Sequence, residues 1–306
     1  MIKYKPENSM ESPRFSGIKT FMRMVYKKTV DDIDFAVVGI PLDWCTTYRS
    51  GTRFGPSAIR DISSLTKPYN PVLDVNIFDY CSGVDYGDVK TIPGYTEDSY
   101  DEIEKGFLPL YKNGVVPIGM GGDHSVTLPE LRACHKVNGK VALVHFDSHY
   151  DTWAEYFGKA YNHGTPFRHA ADEGLIDTSR SIQIGMRGGL YNNEDAKMSK
   201  ALGFKVIIAS ECHKMTMSEI VNEIKKRVGD MKVFLTFDID FLDPAYAPGT
   251  GTPEIGGFTT AQALELIRGL KELNIVGYDV VEVAPQYDSG SITSIAAANI
   301  IAEFMA

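Results

Sequence analysis

The sequence predicts an α/β fold, a parallel β-sheet covered by helices on both faces. Two observations carry this reading. Apolar runs of strand length alternate with amphipathic stretches of helix length from residue 35 onward. Several of those runs also lead straight into Asp, His and Glu residues, which puts a polar site along the carboxyl edge of the sheet, where open α/β folds keep their ligands. Periodicity alone does not separate a closed barrel from an open three-layer sandwich.

Taken in order, residues 1–30 mix Pro6, Pro13, Phe15, Gly17 and a Phe21–Met22 pair without a clear period. They read as an arm packed on the domain or on a neighbouring subunit. Phe35 to Ile40 is a first strand that enters a Gly-rich turn. Pro56 then stands where a helix starts, and Ile59, Ile62 and Leu65 should face inward. Further strands are expected near 76–80, 115–120, 141–147, 181–186, 205–209, 232–238 and 275–283. Further helices are expected near 99–113, 127–138, 193–202, 215–228, 260–272 and 289–304. In the 215–228 segment Ile220, Ile224 and Val228 share one face and Lys225 and Lys226 another. No linker, repeat or low-complexity tract divides the chain, so residues 1–306 read as a single domain.

Composition narrows the function. An apolar content of 43% supports a large core, and no stretch approaches the length of a membrane span. No basic-then-apolar leader is present, and Cys45, Cys81, Cys134 and Cys212 show no paired spacing, so the expectation is a reduced, cytoplasmic protein. A formal charge of −9 argues against a nucleic-acid partner and for a small cationic one.

The chemistry gathers at strand ends. Val141 to Val144 lead into Asp147, His149 and Asp151, which stand two residues apart. On an extended backbone such residues point to one side, so the three can converge. Val115 to Met120 run into Gly121-Gly122-Asp123-His124, whose glycines permit a tight turn. A lone His124 in such a place is commonly a buried, backbone-bonded histidine. Val233 to Phe237 deliver Asp238 and Asp240, and Glu282 lies in a β-branched run where burial is costly unless it meets a cation. Carboxylates with a few imidazoles suit Mn²⁺ better than structural Zn²⁺. Six such ligands exceed the needs of one ion with an open position; two ions bridged by carboxylates fit, and such pairs lower the pKa of bound water to about 7. The implied chemistry is metal-assisted hydrolysis.

The combination of GGDHS at 121–125, HFDSHYD at 145–151, FDIDFLDP at 237–244 and EVAP at 282–285 resembles the ureohydrolase family of arginases and agmatinases. Gly39 to Asp43, Tyr48-Arg49, Arg53 to Pro56 and the loop Gly249 to Glu254 extend the likeness over almost the whole chain, in order. The resemblance implies a three-layer α/β/α sandwich with an eight-stranded, mainly parallel sheet, and assembly into homotrimers or homohexamers. It implies one Mn²⁺ held by His124, Asp147, Asp151 and Asp238 and a second held by Asp147, His149, Asp238 and Asp240, with a hydroxide between them. Ni²⁺ or Co²⁺ could use the same ligands. His163 matches the family's proton-shuttling histidine and Glu282 the carboxylate that pairs with the substrate guanidinium; with Asp151 they make up the implied catalytic set. Ser148, Tyr150 and Cys45 depart from the commoner Ala, Thr and Gly, and none replaces a ligand.

Arginases carry a Ser/Thr/Asn-rich loop after the last of the clustered ligands to hold the head of arginine. Residues 152–161 contain no such loop and include Trp153, Tyr156, Phe157 and Tyr161, which is similar to the agmatinase branch; simple packing would explain each aromatic equally well. The expected reaction is therefore hydrolysis of agmatine to urea and putrescine. Guanidinobutyrate is the nearest rival substrate, with Arg168, Lys159 or Arg187 as receivers of its carboxylate, and formiminoglutamate a more distant one. A non-catalytic homologue would be expected to have lost ligands, and all six are present. A dinucleotide site is excluded because Gly249-Thr-Gly251 continues to Glu254 where a third Gly is needed.

Overall fold

The computed structural model describes residues 2–306. Eight strands form one sheet: β1 (Phe35–Gly39), β2 (Gly83–Asp88), β3 (Val116–Met120), β4 (Ala142–Phe146), β5 (Ile182–Ile184), β6 (Lys205–Ile207), β7 (Val233–Asp238) and β8 (Ile275–Val281). Their order is β2-β1-β3-β8-β7-β4-β5-β6, and every neighbouring pair is parallel. The sheet is open, which decides for the sandwich over the barrel.

Alternation along the strands shows why both faces are covered. In and beside β4, Ala142, Val144 and Phe146 point into one core layer while Val141 and Leu143 point into the other. The first layer takes Ile59 of α1 (Gly55–Ser63), Ile220, Ile224 and Val228 of α6 (Met217–Val228), Leu266 of α7 (Thr260–Gly269) and Ile301 of α8 (Ile292–Met305). The second takes Ile103 and Phe107 of α2 (Thr96–Lys112), Leu131 of α3 (Thr127–Asn138) and Phe167 of α4 (Pro166–Asp172). Helix α5 (Asn193–Leu202) connects β5 to β6. Burying apolar side chains on both faces supplies the main driving force for folding.

Some expectations need correction. The 76–80 segment is not a sheet strand: Val75–Asn76 pairs only in a two-stranded hairpin, and Ile77–Tyr80 is one helical turn capped by the Asn76 side chain, which accepts from the Phe78 N–H at 3.3 Å. The strand at this place in the sheet is β2, a few residues later. Leu65 does not face inward; α1 stops at Ser63, and Leu65 is 54% exposed. Helix α4 was not anticipated at all. The arm lies against its own chain, with Phe21, Met22 and Met24 buried and Tyr26 bridged in parallel to Asp85 on the free edge of β2.

Candidate metal centre

The strand order sets the site. The carboxyl ends of β3, β8, β7 and β4 are consecutive in the sheet, and they carry His124, Glu282, Asp238 with Asp240, and Asp147 with His149 and Asp151. Gly122 lets the first of these ends fold in tightly: a Cβ there would lie 1.9 Å from the Leu42 carbonyl oxygen. Asp123 then caps the turn that bears His124, accepting from the Ser125 N–H at 3.0 Å. Asp151 and Glu282 hold left-handed backbones, with φ of 52° and 66°, an uncommon state for residues with a Cβ that clusters at functional sites.

Two centres emerge. His124 Nδ1 lies 3.0 Å from Asp147 Oδ2, 3.0 Å from Asp151 Oδ2 and 3.1 Å from Asp238 Oδ2. His149 Nδ1 lies 3.1 Å from Asp240 Oδ2 and 3.5 Å from Asp147 Oδ1. Asp147 therefore offers one oxygen to each centre. Asp238 turns Oδ2 to the first, while its Oδ1 accepts from the Asp240 N–H at 2.9 Å. All six residues singled out in the sequence as ligands meet within this space.

The donor set fits cations. His124 Nδ1 and Asp240 Oδ2 are buried without a hydrogen-bond partner, in a region where such atoms are costly. Burial raises the Asp238 carboxyl well above the usual range, and repulsion from Asp240 and Asp147 adds to it. Burial likewise raises Asp151, with Asp147 adding to it. Burial alone would depress His124, but the carboxylates of Asp147, Asp151 and Asp238 outweigh it and hold the imidazole well above its ordinary value. Such a crowd of buried anions is what a divalent ion relieves.

His163 and Glu282 sit beside the first centre as a pair. Glu282 Oε1 is 2.9 Å from His163 Nδ1 and accepts from the His124 N–H at 2.8 Å, whereas Oε2 is buried and unpartnered. The Thr47 N–H donates to His163 Nε2 at 3.1 Å, so in the neutral ring the proton is on Nδ1, facing Glu282. The Thr47 hydroxyl, 2.8 Å from Nε2, can accept once that nitrogen is protonated too. Protonation of Nε2 would therefore exchange the bond from the Thr47 N–H for one to the Thr47 hydroxyl.

Several residues around the ligands were missed in the sequence. His145 Nε2 is 2.7 Å from Asp147 Oδ2. The Gln183 amide donates to the Tyr150 carbonyl at 2.7 Å and to His145 Nδ1 at 3.0 Å, which leaves the His145 proton on Nε2 to hold Asp147. His145 is thus a donor to a candidate ligand, an arrangement by which metal sites orient their carboxylates. It stands in the HFDSHYD motif, but as a strand residue on its own it gives no sign of this role. The Ser148 hydroxyl, where the resemblance suggests Ala, donates to Asp240 Oδ1 at 2.7 Å. Cys45 is buried, its backbone bonded to Asp123 and His163, and burial pushes its thiol up to about 12.

Above the ligand atoms lies a cavity of about 170 Å³ lined by Thr47, His149, Asp151, Trp153, Tyr156, His163, Gly164, Gly189, Tyr191, Asp238 and Thr252. Trp153, Tyr156 and Tyr191 pack together at its wall, with ring centroids 5.4–6.3 Å apart. Among the described residues no lysine or arginine lines this cavity. Arg187 spends its guanidinium on backbone carbonyls, among them Asp240 at 2.7 Å and Glu254 at 2.9 Å. Arg168 pairs with Asp172 at 2.7 Å, and Lys159 lines a different cleft with Trp44 and Tyr95.

Comparison with known proteins agrees with this geometry. The family model described as the arginase family matches residues 33–306. A guanidinobutyrase of Pseudomonas aeruginosa is 44% identical over 305 residues, covering 99% of this chain and 96% of that protein. A mitochondrial agmatinase of Gallus gallus is also 44% identical, over 289 residues, covering 94% of this chain and 85% of that one. Among solved structures, the proclavaminate amidino hydrolase of Streptomyces clavuligerus superposes with a TM-score of 0.93 at 40% identity, over 96% of this chain and 98% of the other.

Proposed function

The chain belongs to the arginase family, hydrolases acting on guanidino groups, and from that premise we propose that it hydrolyses agmatine to urea and putrescine. The observation that carries the choice of agmatine is the cavity wall. Away from the candidate ligands it is aromatic, with Trp153, Tyr156 and Tyr191, and no lysine or arginine lines it among the described residues; Glu254, outside the lining, has its Oε1 3.9 Å from His149 Nε2. A substrate with an ammonium tail is matched by aromatic faces and a carboxylate. The carboxylate of guanidinobutyrate would find no lysine or arginine on this wall, although an equally similar relative carries that name. Arginine brings both charges to one carbon, and unpaired groups in a closed pocket cost several kcal/mol of discrimination.

Two divalent ions, Mn²⁺ in our reading, would be held by His124, Asp147, Asp151 and Asp238 and by Asp147, His149, Asp238 and Asp240. When bound, such ions activate water at neutral pH. The chain's own residues do the rest. The free Oε2 of Glu282 accepts from the substrate guanidinium and so fixes the carbon under attack. His163, held by Glu282 and Thr47, moves protons to the departing amine from Nε2. Asp151, 3.0 Å from His124 Nδ1, would help hold the first ion in place. We place the enzyme in the cytoplasm as a homotrimer or homohexamer supplying a polyamine; no described helix is long and apolar enough to cross a membrane.

Urea release from agmatine, guanidinobutyrate and arginine, with Mn²⁺ supplied, tests the reading. Agmatine is expected to give the highest kcat/KM and arginine a value lower by about 10²-fold or more. A higher value for guanidinobutyrate would overturn the substrate while leaving the guanidino hydrolase standing.

A further inference from the structure

One layer beneath the ligands, the core holds a second acidic pair. Glu130, in the first turn of α3, and Asp279, in the middle of β8, are both fully buried. Gly119 of β3 is the register partner of Asp279, and a Cβ on it would lie 2.6 Å from Glu130 Oε2 and 3.1 Å from the Asp279 Cβ. The glycine thus makes the space in which the two carboxyls meet. Thr127 donates to Asp279 Oδ2 at 2.6 Å. Glu130 Oε1 and Oε2 and Asp279 Oδ1 have no partner among the described residues, and neither does the buried Tyr111 hydroxyl, which sits over Gly277 on the same strand.

We infer that Glu130 and Asp279 share one proton, donated by Glu130 to Asp279 Oδ1, and that the pair is a positioning device for His124. The shared proton satisfies two of the three unpartnered carboxyl oxygens, where two bare anions would repel each other in a dry core. Burial raises both carboxyls, Glu130 well above the usual range with Asp279 adding to it. The link to the site runs through Thr236, the β7 residue paired in register with Asp279. Its hydroxyl lies 2.8 Å from His124 Nε2, and the register sets Asp279, with its unpartnered Oδ1, beside it on the neighbouring strand and the same face of the sheet. In the metal-loaded protein His124 Nε2–H would donate to Thr236, leaving Nδ1, which faces the carboxylates of the first centre, for the ion. A metal-bound histidine held through its other nitrogen by a carboxylate is a recurring arrangement, here extended by one hydroxyl and stabilised by a second acid. Removal of such supports costs about 10–100-fold in metal affinity.

The inference rests on the two-ion reading above, and the tests separate the two. In the metal-loaded protein, the infrared difference between native and Glu130→Gln should contain the carbonyl band of a protonated carboxylic acid. Glu130→Gln keeps a neutral donor and should bind Mn²⁺ in calorimetry within about threefold of native; Glu130→Leu should lose about 10–100-fold at one of two ions and little at the other. Thr236→Val, which removes only the link, should weaken the same ion and stands in if the leucine variant does not fold. Absence of the acid band, equal loss in the glutamine and leucine variants, unchanged affinity in Thr236→Val, or a third ion released on replacing Glu130 would overturn it. A native protein that binds no pair of ions would instead overturn the proposed function.

Discussion

Asp238 and His163 line the same cavity yet should fail in different ways when replaced. Asp238 faces His124 Nδ1 across the first centre, so Asp238→Ala should lower metal content and activity together. The His163 ring hydrogen-bonds Glu282 and Thr47, and its backbone N–H the Cys45 carbonyl, none of them a candidate ligand. His163→Ala should keep two ions per chain and lose kcat by about 10²–10⁴-fold, the usual worth of a general acid–base group. Metal analysis with steady-state kinetics on both variants checks this, and a metal-free His163→Ala protein would show that a ligand had been taken for a shuttle. The candidate ligands were legible from their spacing at strand ends, but not for the reason the spacing suggested. The extended backbone stops at Phe146, Ser148 and His149 lie in a bend, Asp151 is left-handed and Asp240 sits in the 3-10 turn Ile239–Phe241, so turns beyond the strand ends bring the side chains together. The supports of these ligands were not legible. His145 acquires its role from Gln183, 38 positions away, and Thr47 from His163, 116 positions away, so nothing local marks either.

At the scale of elements, the legible parts were those whose inward residues are apolar. Strands β4 and β7 are buried at every position, and α6 shows its apolar face in Ile220, Ile224 and Val228. Strand β2 was passed over because a charged residue, Asp85, occupies a fully buried position in it, and Arg60 of α1 makes this tolerable with bonds of 2.8 and 3.0 Å. Helix α4 has only seven residues and opens on Pro166, too short for a periodic signal. The turn before His124 was readable from its glycines, and it carries a prediction. Gly122→Ala would drive a Cβ into the Leu42 and Ile40 carbonyl oxygens, at 1.9 and 2.8 Å, and backbone can give way only by moving β1 or the His124 turn. Overpacking of this kind costs about 1–3 kcal/mol. We expect a lower melting temperature together with weaker binding at the His124 centre. Replacing Gly94, whose surroundings are open, should leave metal binding at native strength even though its φ of 83° strains any side chain.

Across the whole molecule, the ligand centres and the N-terminal arm occupy different parts of one sheet. The centres are built on β3, β8, β7 and β4, whereas the arm closes the free edge at β2. The Lys27 N–H donates to the Asp85 carbonyl at 3.0 Å and the Asp85 N–H to the Val25 carbonyl at 3.1 Å, so the arm extends the sheet by a short parallel bridge. The Phe21 N–H also donates to the Asp85 carboxylate at 2.7 Å, completing the set of bonds that Arg60 begins. An uncovered edge invites pairing with another chain. Phe21, Met22 and Met24 are each at most 4% exposed, and burying such side chains is worth about 1.5–3 kcal/mol apiece as an upper estimate. We propose that the whole chain unfolds as one domain of which the arm is a structural part. Deleting residues 1–26 should then lower a single melting transition by about 5–15 °C and promote association of the truncated protein through β2. Because β1 separates that edge from the first ligand-bearing strand, the surviving folded protein should retain two ions per chain and a near-native KM. Two separate transitions in the intact protein, or loss of metal on truncation without loss of stability, would show that the arm belongs to the site rather than to the sheet's edge.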